Sequence, residues 1–380
     1  MRSPRADILR QHAEEASVLY ARLRRSVVLL DGNVRQTRSL VERVGAHCDA
    51  LALFADHAAP LADPPGEARG VGDRFVSAFI AASGGSPLDA LAGRAFDREA
   101  HVALRDALVR VPNDHARATV DAWLADGGES ARAVAVEVLS YTNDPRAAKV
   151  ASRAVRRGAG ALRAAGVCAL LRAGEPVPAE LALDAMAGCA SDRGWREAVL
   201  DAAGRASDAL ALDVARRWDG ARCDLAWATL AVSGDGDDRE RLCDAWAREG
   251  ATGALPAALA LAGDHRALLD AWGETLALPA SNALREAAYV VLGGEAPPVV
   301  VRDDLPEEPE DTAQRVREDG RWRERLAAAE GAPWRWGRRA WEPWAEGAAA
   351  LGPRHARWAR GALGGAWRGR WATGLADAEG

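Results

Sequence analysis

Apolar residues recur along this chain at steps of three and four, the period of helices that bury one stripe. Ala16, Leu19, Tyr20, Leu23 and Val27 make one stripe and predict a helix over 5–30. Asp31-Gly32-Asn33 breaks it with residue types that tolerate left-handed backbone. Leu40, Val44, Ala46, Leu51 and Phe54 predict a second helix over 34–58, so the chain opens on a helical hairpin. Residues 59–72 read as a loop. A short helix over 73–82 carries Phe75 and Phe79, and Ser83-Gly84-Gly85-Ser86-Pro87 ends it.

Beyond residue 97 the pattern repeats. Trp123, Val155, Met186, Trp218, Trp246 and Trp272 are spaced 32, 31, 32, 28 and 26 residues apart. Half a repeat away run Leu108, Leu139, Leu170, Leu200, Leu230 and Leu259. Two apolar registers at a period near 30 residues mark an array of stacked helix pairs. Ala131, Val134, Ala135, Val138 and Leu139 typify the stripes, as do Leu162, Ala165, Gly166, Ala169 and Leu170, and Cys223, Ala226, Trp227, Leu230 and Ala231. Each is expected to bury one side of its helix, leaving stacked neighbours to complete the core. Asn143-Asp144-Pro145-Arg146 predicts a capping Asp before a proline in the first helical turn. Asp238-Arg239 and Asp264-His265-Arg266 repeat that signature.

The expected organisation is an N-terminal helical region over 1–97, about six hairpins over 98–294, an acidic proline-rich linker over 295–311 and a helical cap rich in Trp and Arg over 312–380. The fold class is all-α, an α-α superhelix.

Composition narrows the function classes. Hydrophobic residues make up 49% of the 380, enough for a sizeable core. The formal net charge is −6, which argues against a general nucleic-acid binder. Five cysteines, Cys48, Cys168, Cys189, Cys223 and Cys243, form no Cys-x-x-Cys pair and suggest neither a disulfide framework nor a zinc site. Free thiols on helices fit a cytoplasmic protein. No signal-peptide pattern and no membrane-length apolar run is visible.

Certain phrases resemble a family of uncharacterised proteobacterial proteins built on short HEAT-like repeats. These are Gln11-His12-Ala13-Glu14-Glu15-Ala16, the run from Leu40 to Leu51, the repeats, the acidic proline-containing segment and Trp322 to Gly337. The resemblance implies a HEAT-like solenoid with its own terminal elements and no established activity. It also suggests adaptor or immunity roles near bacterial secretion and effector systems, type VI secretion among them.

Candidate chemistry is sparse. His12 and Glu15 stand one helical turn apart, as two metal ligands do, and His47 and His57 follow on the next helix, but no His-Glu-x-x-His is present. No nucleophile elbow or phosphate-cradling glycine loop occurs. The expectation is therefore no enzyme, no catalytic residue, no metal and no cofactor. Trp123, Trp218, Trp246 and Trp272 share one register and are expected to pack rather than bind. Eight of the fourteen tryptophans follow residue 320, interleaved with arginines, and these residue types dominate interface hot spots. Trp334, Trp336, Arg338, Arg339, Trp341 and Trp344 are the candidate partner-binding residues. A cap over the last repeat and a grip on single-stranded nucleic acid are the other roles open to that segment. The leading expectation is a non-enzymatic scaffold or adaptor whose partner is a protein, such as an effector, toxin or secretion component, held across the concave face. An immunity protein or chaperone for a toxin is one alternative, and a HEAT-like DNA-binding glycosylase is another.

Overall fold

The structure is a computed structural model that describes residues 6–28, 34–61, 70–93, 97–189, 191–219, 223–250 and 255–262, with a few shorter pieces beyond. The chain is all-α, as its periodicity requires. The N-terminal helices are α1 (Ala6–Val28), α2 (Val34–Leu53), α3 (Ala55–Ala58), α4 (Val71–Ser83) and α5 (Asp89–Ala92), with a 3-10 turn at Ala59–Leu61. The second helix ends five residues earlier than its pattern suggests. Phe54 leaves helical geometry at φ −126°, ψ 39°, and the chain restarts as α3.

The array follows as α6 (Arg98–Arg110), α7 (Asp114–Asp126), α8 (Glu129–Tyr141), α9 (Ala147–Arg157), α10 (Gly160–Arg172) and α11 (Ala179–Gly188). It continues as α12 (Arg193–Ala206), α13 (Asp208–Arg217), α14 (Asp224–Ser233), α15 (Gly236–Glu249) and α16 (Leu255–Ala262). Each odd helix from α7 packs on the even helix after it, and successive even helices pack on one another. The even helices thus form an inner row and the odd ones an outer row. The inner row curls tightly enough for α6 to touch α12. At the N-terminal end α4 joins α6 to α1, and α1 pairs with α2.

The two sequence registers correspond to the two rows. Leu108, Leu139, Leu170, Leu200, Leu230 and Leu259 lie on inner helices and are all buried. Trp123, Val155 and Met186 are buried on outer helices, and Trp218 and Trp246 are half-buried against the same core. Trp272 lies outside the described residues. The Trp register therefore packs. Trp123 is 2% exposed, and its indole N–H donates to Asp89 Oδ1 at 2.7 Å, so its polar edge is satisfied too.

Two local expectations are corrected. One-sided burial holds for the outer row but fails for α8 and α10, where Ala133–Ser140 and Ala164–Leu171 are buried on every face. The curl encloses these helices between neighbours, and small residues permit it. A Cβ on Gly166 would stand 2.9 Å from the Ala151 carbonyl oxygen of α9. The second concerns caps. Asp144 does not cap α9, because Asn143 turns the chain at φ 54° and the helix starts only at Ala147. Asp144 instead accepts from the Arg146 amide (2.8 Å) and pairs with its guanidinium. At α15 the N-cap is Asp235, and Asp238 is its partner in a capping box.

The linker at 295–311 lies outside the described residues, as does nearly all of 312–380. Within the latter, Trp334–Arg335 and Arg338–Arg339 form two-residue strands paired antiparallel, with Trp334 opposite Arg339. Among the described residues no helix is long and apolar enough to cross a membrane.

Candidate functional site: the inner row and its ionic centre

The inside of the curl is where a solenoid of this kind is expected to receive a partner. In this chain, across α6 to α12, it is filled by the chain's own charged and aromatic side chains. Asp97 caps α6 by accepting from the Ala100 amide at 2.7 Å. Asp192 caps α12 at the Trp195 amide and also accepts from the Arg98 amide at 3.0 Å, so one carboxylate serves two helix N-termini. Gly194 allows this approach, since a Cβ there would stand 2.6 Å from Arg98 Cβ.

Arg98 then reaches inward and grips Glu137 of α8 with both terminal nitrogens, at 2.7 and 3.1 Å. Its guanidinium also lies over the Trp195 ring, 4.2 Å from the centroid. His101, one turn on, donates from Nε2 to Glu137 Oε2 at 2.9 Å and meets Trp195 edge to face at 4.6 Å. Arg105 bonds Glu137, Asp106 and the Tyr141 hydroxyl. Asp106 in turn accepts from the Tyr20 hydroxyl of α1 at 2.8 Å. Arg105 and Arg172 lie over Tyr141, at 4.1 and 3.6 Å from the ring centroid. One polar chain thus joins the N-terminal hairpin to α6, α8, α10 and α12. It also marks the seam between two apolar cores, to both of which α8 contributes.

The electrostatics are those of a closed structural centre. Burial alone would push the Glu137 carboxyl up, but the Arg98 and Arg105 guanidiniums hold it well below the usual carboxylate range. Burial pushes His101 down to about 4 against the pull of Glu137, so it is neutral at physiological pH. That state matches its contacts: Nε2–H faces the carboxylate, and buried Nδ1 has no hydrogen-bond partner and no acceptor for a second proton. Burial likewise raises the thiols of Cys168 and Cys223 to about 12 and of Cys189 to about 11, which keeps them protonated and poor nucleophiles. Glu137 and His101 are both fully buried, so a substrate has no route to either.

The histidines singled out in the sequence meet across the first hairpin. His12 and His47 face each other through their Nδ1 atoms at 2.9 Å, and Glu15 Oε2 lies 3.1 Å from His47 Nε2. The three side chains line up as carboxylate, imidazole and imidazole, and the two rings bond only with one Nδ1 protonated and the other bare. Burial lowers the His47 pKa, with Glu15 opposing and His12 and Arg43 assisting. Among the described residues no group of three or more His, Cys, Asp or Glu is placed to hold a metal ion. Between α2, α4 and the α6–α7 turn lies an open cleft of about 340 Å³, lined by Asp49, Phe79, Ser83, Arg110 and Asn113 among others.

Of the candidate partner-binding residues, Trp336, Trp341 and Trp344 lie outside the described residues. For Trp334, Arg338 and Arg339 the description stops at the backbone ladder. Sequence reasoning missed Arg98, Glu137 and Trp195, whose meeting depends on the curl. The visible signal was a cluster of charges, Arg98, His101, Arg105 and Asp106, on a helix otherwise rich in apolar residues. No family profile, curated protein or solved structure matches the chain.

Proposed function

We propose that this chain is a non-enzymatic protein-binding scaffold whose partner docks on the outer row of helices. The observation that supports this reading is the division of labour between the rows. The inner helices α8 and α10 are enclosed on every face, and the hollow of the curl across α6 to α12 is occupied by the ionic centre. The outer helices bury one stripe each and turn their remaining faces outward. Stacked hairpins suit such a role because they present successive helix faces at regular spacing without loop insertions. Docking across the concave face, the mode suggested by the repeats alone, gives way here to docking on the convex side. An adaptor role beside a bacterial secretion or effector system is the setting the family resemblance supplies.

Affinity capture from lysate of the organism of origin, with the chain shown to be folded, tests the reading. A protein partner retained in stoichiometric amount is the expected result. A folded chain that retains no protein, or retains only nucleic acid released by salt, contradicts it.

A further inference from the structure

The outer row is not uniformly charged. On α9 the buried stripe is Ala147, Ala151, Ala154 and Val155. The opposite face carries Lys149, Arg153, Arg156 and Arg157, all exposed. The helix has no acidic residue at all. Among the described residues none of these four cations meets a carboxylate. Several other outer-side cations are neutralised: Arg117 pairs with Asp114, Arg146 with Asp121 and Asp144, Arg216 with Asp235 and Asp238, and Arg217 with Glu180, while Arg248 of α15 stands exposed singly rather than in a cluster.

Like charges three and four residues apart on a helix repel, by about 0.2–0.5 kcal/mol per pair. Lys149–Arg153, Arg153–Arg156 and Arg153–Arg157 all have that spacing. Lys149 also sits in the first turn, where the helix dipole disfavours a cation. The dipole favours Arg156 and Arg157, which lie in the last turn, but among the described residues no carboxylate answers Lys149 or Arg153, and the chain as a whole is acidic at net −6.

We infer that the exposed face of α9 is a docking stripe for an acidic protein segment, a partner helix with carboxylates at four-residue spacing. This deepens the scaffold reading and rests on it. The stripe from Lys149 to Arg157 is about 12 Å long and one helix wide. On the flanking helices of the outer row, Asp126 of α7 and Asp184 of α11 are exposed and outside these ion pairs, whereas Asp114, Asp121 and Glu180 are exposed but already matched by arginines. A negative–positive–negative succession matches a narrow acidic helix. It repels a wide polyanion such as duplex DNA or an anionic membrane, which would overlie the flanking carboxylates.

The test uses the full chain and a fluorescent alanine-based helical peptide with glutamate at every fourth position, read by anisotropy at low and physiological salt. Lys149 is the only lysine in the chain, so a zero-length carbodiimide crosslink mapped by mass spectrometry localises the contact. The expected result is saturable, salt-sensitive binding with the crosslink at Lys149. The variant Lys149→Glu/Arg153→Glu/Arg156→Glu/Arg157→Glu should weaken binding by about tenfold or more, with its circular dichroism and melting unchanged. The milder Lys149→Gln/Arg153→Gln gives a second, graded reading. Equal binding by wild type and the reversed variant overturns the inference. So does tighter binding of a single-stranded DNA oligonucleotide or of phosphatidylserine vesicles through the same four residues. Partner capture separates the two proposals. If the reversed variant still retains the wild-type protein partner, the α9 assignment fails and the scaffold reading stands. If the peptide binds at Lys149 but no protein is captured, the reverse holds.

Discussion

The ionic centre of the inner row and the basic face of α9 use the same residue types to opposite ends. In the centre, Arg105 is buried and Arg98 largely so, and each meets carboxylate and aromatic partners, which together come from α6, α8 and α12. On α9, four cations stand in solvent with no partner among the described residues. A buried guanidinium without a carboxylate costs several kcal/mol, so the centre has to be complete. An exposed one costs almost nothing, so α9 can hold charge available for another molecule. Completeness therefore distinguishes a structural charge from an available one more reliably than residue type does.

The ionic centre is most vulnerable at Glu137, the carboxylate that Arg98, His101 and Arg105 share. Glu137→Ala strands Arg98 and leaves Arg105 with Asp106 as its one carboxylate, and we expect it to destabilise the fold by about 3–5 kcal/mol in urea unfolding. A loss under about 1 kcal/mol would mean that the centre is hydrated and open.

The next largest effect is acid. His101 has a folded pKa near 4, below its ordinary 6.5, so the unfolded chain takes up the proton first. Its contribution is fully present above pH 6.5 and falls as pH drops toward 4. Between pH 7.5 and 5 the loss should reach about 2 kcal/mol. His47, also shifted down, adds a smaller loss of the same sign. Unfolding curves at the two pH values, repeated with His101→Gln, should show a shallower dependence in the variant; an unchanged dependence would place the effect elsewhere.

A smaller effect is expected at Asp192, whose carboxylate serves the N-termini of both α6 and α12. Asp192→Ala should cost about 1–2 kcal/mol, at the upper end for a single cap. A cost of a few tenths, measured by thermal melting, would show that the α6–α12 contact adds nothing to an ordinary cap.

The smallest effect should come from the basic helix. Reversing all four cations of α9 should leave stability within about 0.5 kcal/mol of wild type, because four glutamates at these spacings repel one another as the cations do and the dipole's gain at position 149 offsets its loss in the last turn. Destabilisation beyond about 1 kcal/mol would make these charges structural and erase the difference from the centre.

Much of this architecture was legible in the chain because it is local. Two apolar registers, one through Leu108 and Leu139 and the other through Trp123 and Met186, specify two rows of helices from spacing alone. The packing role of the tryptophan register followed from its regularity. The ionic centre was not legible, because it needs Arg98 beside Trp195, ninety-seven positions away, and only the curl of the inner row brings them together. The same curl explains why α8 and α10 are enclosed on every face: their alanines read equally well as one side of a stripe or as close-packing on all sides. Cap positions failed by a few residues for a different reason. Asn143 and Asp144 form a turn of their own, and the competition between a turn and a cap is decided by backbone geometry that composition does not encode. On α9 the spacing of Lys149, Arg153 and Arg157 is plain in the sequence, but their lack of partners is a property of the neighbouring helices.

Hydrogen–deuterium exchange of the full chain, with and without the acidic helical peptide, separates a closed centre from an open stripe most directly. Slow exchange is expected in α6, α8 and α10, unchanged by the peptide, with added protection confined to α9 and its immediate flanks. Peptide-induced change in α6, α8 or α10 with none in α9 would contradict this expectation, placing the binding surface inside the curl and the ionic centre within reach of a ligand.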